Sequence, residues 1–207
     1  MIPYISCFLG GYLVGSFPTG YLLVKHNSRI DLTQAGSGNV GAFNAGVVTG
    51  STTMGILVGV IDGLKGLAVV LAVDVSTEGF VAPALGLIGA VLGHNYPVWL
   101  RFKGGRGLAT ACGGLLALGL AYTIVWCSTW ALMKFARRSV LAANITATLL
   151  TPLALFLVPE GAISLVMTSS GDPVSYRWFS VLLSSLLIVS HVNAFKEIVR
   201  RKPNNEK

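Results

Sequence analysis

Residues 101–138 read RFKGGRGLATACGGLLALGLAYTIVWCSTWALMKFARR. An apolar block, 108–133, lies between two basic clusters. Arg101, Lys103 and Arg106 precede it; Lys134, Arg137 and Arg138 follow it. Lysine and arginine hold membrane loops on the cytoplasmic side. Both ends of the block therefore belong on one side, and the chain must enter and return. Two crossings leave about 13 residues each, or ~20 Å of helix, which is short against a ~30 Å hydrocarbon core. The block predicts a hairpin of two short helices turning near residues 119–122.

The surrounding composition puts this hairpin in a membrane protein. Of 207 residues, 53% are hydrophobic and 11% charged, where a soluble domain has about 25% charged residues. Too little polar surface remains to cover a water-soluble globule. Further apolar runs lie at 2–24, 53–73, 80–100, 140–158 and 174–194. With the hairpin they predict an all-α polytopic bundle of about seven helices, a single domain over 1–207. No basic stretch precedes the first run, which reads as a retained span rather than a cleaved signal peptide. Cys7, Cys112 and Cys127 lie in apolar sequence without metal-ligand spacing. No metal, cofactor or nucleic acid is expected.

Charge sets the orientation. Segments 25–29, 101–106, 134–138 and 196–207 carry all the Lys and Arg except Lys65 and Arg177. Links 74–79 and 159–173 carry Asp74, Glu78, Glu160 and Asp172 and no cation. The basic segments are expected inside and the acidic links outside, with the N-terminus out and the C-terminus in. The tail from about 196 reads as a basic cytoplasmic anchor on anionic lipid.

Four polar segments then gather on the cytoplasmic side: GSFPTG (15–20), GSGNVGAFN (36–44), FKGGRG (102–107) and residues 191–193. Lys103 and Arg106, threaded by Gly104, Gly105 and Gly107, offer charge and close backbone amides to an anion such as phosphate. Gly36, Ser37, Gly38, Asn39, Gly41 and Asn44 offer small residues and hydrogen-bonding side chains. His191 and Asn193 can position a ligand. Asp62 and Lys65, three apart in DGLKG, share a helix face. Ions inside a span are costly and mark either a functional site or a structural pair facing the bundle. His94 reads equally as a site residue or as a packing residue at a helix end.

The segments GSFPTGY, GSGNVGAFN, DGLKG and GHNYPVWLRFKGGRGLAT, with a late His, resemble the bacterial acyl-phosphate-dependent glycerol-3-phosphate acyltransferases of the PlsY family. The resemblance spans nearly the whole chain. It implies a seven-helix enzyme of the bacterial inner membrane with its site on the cytoplasmic face. It also implies acyl transfer from acyl phosphate to the 1-hydroxyl of glycerol 3-phosphate, without metal or nucleotide. A separate enzyme that makes acyl phosphate would supply the donor. By the same resemblance Lys103, Arg106 and the amides of Gly104 and Gly105 bind one phosphate. Ser37, Gly38 and Asn39 meet the other phosphate or the reacting carbonyl, and His191 and Asn193 orient the acceptor. The family is thought to use a substrate phosphate, not a protein base, to assist deprotonation.

The chain departs from the family pattern at several positions. Phe43 stands where the family usually has Thr, Val47 where it has Arg, and Arg106 where it has Lys. The late motif is His191-Val192-Asn193, with Asn two after His instead of three and no Arg between. A relative with an altered acceptor or lost activity is therefore one alternative. A transporter or flippase of a phosphorylated molecule is another, motivated by the intramembrane Asp62 and Lys65.

Overall fold

The computed structural model describes the backbone over residues 4–201 and side chains as far as residue 192. The described residues form ten α-helices: α1 (Tyr4–Ser16), α2 (Thr19–Ser28), α3 (Ala42–Thr49), α4 (Thr52–Asp74), α5 (Val81–Asn95), α6 (Leu108–Leu118), α7 (Ala121–Phe135), α8 (Val140–Leu157), α9 (Glu160–Leu165) and α10 (Pro173–Arg201). A 3₁₀ turn, Val98–Leu100, follows α5. Among the described residues, four segments are long and apolar enough to cross a membrane: Tyr4–Ser28, Thr52–Asp74, Val140–Leu157 and Pro173–Val192.

The difference from seven helices has local causes. The first run is two helices because Pro18 has no N–H to continue the ladder from α1. The segment expected as a polar loop, 25–51, folds its second half into α3. The run 80–100 stops at Asn95, two residues before Pro97. The hairpin forms as expected: α6 and α7, of 11 and 15 residues, reverse direction at Gly119–Leu120.

The two arms of that hairpin do not zip together. Helix α6 packs on α4 and α7 packs on α8, while α5 runs through the centre against α1, α4, α6 and α10. Helix α5 is apolar on all sides, as a helix enclosed by others must be. Its buried residues include Leu87, Ile88, Val91, His94 and Asn95. Small residues bring the backbones close. A methyl at Gly11 or Gly15 would strike the backbone of Gly86 or Ala90 on α5, and one at Gly113 would strike Gly63 on α4. In lipid, such close packing holds helices together where the hydrophobic effect cannot.

One end of the bundle is tied by Tyr176, whose hydroxyl donates to Gly119 O at 2.6 Å and accepts from Tyr122 N at 3.1 Å. Arg177 on α10 has local partners nearby. It donates to Leu155 O at 3.1 Å and Val158 O at 2.8 Å, and pairs with Glu160 at 3.1 Å. These partners explain a cation in an otherwise acidic region. The opposite end gathers the segments around α3, the 96–107 turn and the start of α6.

Candidate active site

The segment ahead of α3 is folded by one side chain. Asn44 Oδ1 accepts from Ser37 N at 3.0 Å. Its Nδ2 donates to Ala35 O at 3.0 Å and Asn39 O at 2.7 Å. Asn39 Oδ1 in turn accepts from Gly41 N at 2.8 Å. Gly36 and Gly38 take left-handed backbone angles, φ 57° and 76°, which let the chain wrap around Asn44. The result presents Ser37, Asn39 and the first residues of α3 to one cavity.

The second wall comes from the 101–107 segment. Gly105 N donates to His94 O at 3.0 Å. A methyl at Gly105 would collide with the His94 ring, and one at Gly104 with the backbone of His94 and Asn95. These glycines are needed for contact with the end of α5. Gly107, at φ 74°, starts α6. Neither Gly107 nor Gly41, the N-cap of α3, offers a side-chain cap. The first amides of two helices are thus free of such caps beside the cavity, an arrangement that favours anions.

The cavity, of about 170 Å³, is lined by Ser37, Asn39, Gly41, Asn44, Asp62, His94, Arg106, Gly107, Leu108 and Asn144 among others. That is roughly ten times the space a single water needs. Arg106 is the one Lys or Arg among these wall residues. Burial lowers the pKa of its guanidinium, which starts high enough to stay protonated.

Asp62 is the only carboxylate among the described residues of the wall. Its Oδ1 lies 2.8 Å from Lys65 Nζ and 3.6 Å from His94 Nδ1. Lys65 itself faces a small recess behind the cavity, which Asp62 and His94 also line. There it donates to Phe17 O at 2.9 Å, at the break between α1 and α2.

The other expected site residues fall differently. Lys103 is exposed and absent from the wall. His191 is fully buried, its Nδ1 2.8 Å from Leu187 O. It is absent from the cavity wall; its neighbour Ser190 donates to Arg106 O at 3.3 Å, so this turn of α10 backs the 101–107 segment. The Asn193 side chain lies outside the described residues. Val47 is exposed on α3, so no cation stands at that position.

Sequence reasoning did not select Asn144. Its Oδ1 accepts from Trp130 Nε1 at 2.8 Å, which orients the amide at the cavity wall. The available signal was a polar stripe on an apolar helix: Asn144, Thr148 and Thr151 are all buried on α8.

A second, apolar groove opens where α6 and α7 diverge, lined by Leu108, Ala111, Cys112, Leu115, Trp126 and Leu187 among others. Leu108 borders both spaces. The long apolar helices define an integral-membrane protein, in which a polar cavity holding Arg106 adjoins an apolar groove. The chain belongs to the glycerol-3-phosphate acyltransferase family, whose profile matches residues 5–201.

Among its relatives, the glycerol-3-phosphate acyltransferase of Mesorhizobium japonicum is 38% identical over 170 residues, covering 80% of this chain and 84% of the relative. That of Myxococcus xanthus is 38% identical over 197 residues, covering 92% and 93%. Two crystal structures of PlsY (YgiH), an integral membrane glycerol 3-phosphate acyltransferase, share the fold. The glycerol 3-phosphate form superposes with a TM-score of 0.76 at 29% identity, covering 99% of this chain and 96% of the other. The lysophosphatidic acid form gives 0.75 at 30% identity, covering 95% and 92%.

Proposed function

We infer that this protein transfers a fatty acyl group to the 1-hydroxyl of glycerol 3-phosphate, forming lysophosphatidic acid. The donor is acyl phosphate, supplied by a separate enzyme, and inorganic phosphate is the second product. The observation that carries this reading is the polar cavity that holds Arg106 and the apolar groove meeting at Leu108.

An acyl phosphate is already activated, so the protein's task is to hold two anions and one carbonyl in reacting geometry. Arg106 and the amides at the starts of α3 and α6 hold phosphate and stabilise the oxyanion as the carbonyl is attacked. Lys103 draws anions in from the rim. Ser37, Asn39 and Asn144 provide neutral hydrogen bonds to phosphate or hydroxyl. His191 supports the loop from behind, and Asn193 orients the acceptor. The acyl tail lies along α6 and α7. The hydroxyl oxygen bonds to the carbonyl carbon while the carbon–oxygen bond to phosphate breaks. The hydroxyl proton passes to a substrate phosphate oxygen, so no protein base is required.

By the distribution of cations, the site faces the cytoplasm across a bacterial inner membrane, with the N-terminus outside and the C-terminus inside. One domain, 1–207, carries the activity, with its basic tail on the lipid surface. Complementation of a bacterial strain lacking its first glycerol-phosphate acyltransferase tests the reading. Growth restored by the wild-type chain and lost in Arg106→Gln is the expected result. No growth from a well-expressed chain would contradict it. The exposed, uncharged Val47 favours a second reading, in which the acceptor carries its phosphate differently. An acceptor panel on purified protein, spanning glycerol 3-phosphate and other polyol phosphates, separates the two.

A further inference from the structure

Asp62 poses a problem for a site that binds phosphates. A buried carboxylate on the wall of an anion cavity repels the ligands, and an ion in such a place is retained only when paired. The structure supplies two partners, one on each side of a short chain of contacts. Lys65, one turn along α4, lies 2.8 Å from Asp62 Oδ1. His94, at the end of α5, places Nδ1 3.6 Å from the same oxygen. All three are largely buried, with side-chain exposures of 3%, 10% and 7% for Asp62, Lys65 and His94.

Each partner leads to a different part of the site. The His94 ring fills the space that a side chain at Gly105 would need, and His94 O accepts from Gly105 N at 3.0 Å. The ring therefore bears directly on the segment that carries Arg106. Lys65 leads the other way. Its ammonium donates to Phe17 O at 2.9 Å and Gly15 O at 3.4 Å, satisfying carbonyls at the broken C-terminal end of α1. Lys65 lines the rear recess and is absent from the cavity wall, whereas Asp62 and His94 line both spaces.

We propose that Asp62, His94 and Lys65 form a charge-balanced positioning unit for acyl transfer. The carboxylate orients the His94 ring, the ring sets the height of the phosphate segment at Gly105, and the ammonium cancels the carboxylate's charge from behind. None of the three is a catalytic residue; each acts through Arg106 and the adjacent amides. The proposal rests on the acyltransferase reading above.

The unit separates two effects that a purely structural ion pair would leave joined. Removing the ammonium exposes substrate anions to an uncompensated carboxylate and weakens their binding. Removing the carboxylate releases the ring and disturbs the geometry of reaction while leaving no repulsion. The experiment is steady-state kinetics on purified protein with acyl phosphate and glycerol 3-phosphate, comparing wild type, K65M, K65R, D62N and the double variant D62N/K65M. K65M is expected to raise KM for glycerol 3-phosphate about tenfold or more, and K65R to recover most of it. D62N is expected to lower kcat with KM not raised. D62N/K65M is expected to return KM to within about threefold of wild type while kcat stays low.

A double variant with KM as high as K65M would overturn the proposal, because charge would not be the cause. Should K65M fail to fold, D62N decides alone: lower kcat at unraised KM supports the unit, and a raised KM overturns it. Absence of turnover in the wild type with these substrates would instead sink the acyltransferase reading itself.

Discussion

At the scale of the residue, the proposed function assigns Arg106 the largest share of anion recognition. It is the one Lys or Arg among the described residues of the cavity wall, and it is partly buried there. A hydrogen bond to a charged group is worth about 1.5–3 kcal/mol. Arg106→Gln should therefore raise KM for the phosphate substrates roughly 10- to 100-fold, measured in initial-rate assays. Arg106→Lys should recover charge but not the planar fork. Asn44 is the other decisive side chain, since its amide makes three bonds that fold residues 35–39. Asn44→Ala leaves Ser37 N and two carbonyls without that partner. A fall in kcat/KM of at least tenfold is expected, with a smaller change in the folded fraction seen by size-exclusion in detergent. Equal activity in Asn44→Ala would mean that the segment is held by something else.

The residue types at both loops were legible from charge and glycine spacing alone. Less accessible was the division of labour within them. Lys103 and Arg106 are two turns of phrase in one motif, yet only Arg106 reaches the wall. The reason lies in backbone direction: Gly105 is pinned on His94, and the chain turns into α6 immediately after. Asn144 was illegible for a similar reason, because its orientation depends on Trp130 from a helix that precedes it by one connection.

At the scale of the element, the hairpin behaves as charge and length required, and its geometry adds something they could not supply. Helices α6 and α7 reverse at Gly119–Leu120 but pack on different partners, which leaves the groove between them. Helix α6 approaches α4 closely at Gly113 and Gly63. Gly113→Ala sets a methyl against the Gly63 backbone. Overpacking of this kind costs about 1–3 kcal/mol, and a lower thermal midpoint in detergent is the expected outcome.

The start of α10 makes a different prediction. Asp172 precedes Pro173, and its carboxylate accepts from Ser175 N at 2.9 Å and Ser175 Oγ at 2.6 Å. The Ser175 hydrogen bonds hold the Asp172 carboxyl below its ordinary range. A depressed carboxyl contributes stability that is present above its unfolded-state pKa and is lost as pH falls through the folded value. Thermal midpoints of the wild type should therefore drop toward those of Asp172→Ala below about pH 4, near the ordinary Asp pKa. Parallel curves down to pH 2 would exclude this cap as a contributor.

At the scale of the whole molecule, apolar runs and basic loops gave a helical membrane bundle, in which the first run counted as one helix and not as α1 and α2. The extra helices escaped notice because α3 and α9 are only eight and six residues long, below the length at which periodicity speaks. Placement of α5 at the centre also depends on packing with four helices, which no linear pattern records. The proposed orientation predicts the side on which introduced cysteines react. In a variant lacking the native cysteines, Ser76→Cys and Gly161→Cys should label with a membrane-impermeant maleimide from outside intact spheroplasts. Ser139→Cys should label only after lysis. The reverse pattern would invert the topology and place the phosphate site on the outer face.

In the proposed function, one membrane protein joins an acyl group to a phosphorylated glycerol at a cavity built around Arg106. Its most direct test is purified protein supplied with acyl phosphate and glycerol 3-phosphate, with both products quantified. Lysophosphatidic acid and inorganic phosphate should appear in equal amounts, only when both substrates are present, and fall sharply in Arg106→Gln. Phosphate release that ignores glycerol 3-phosphate, or no lysophosphatidic acid from folded protein, would contradict the account.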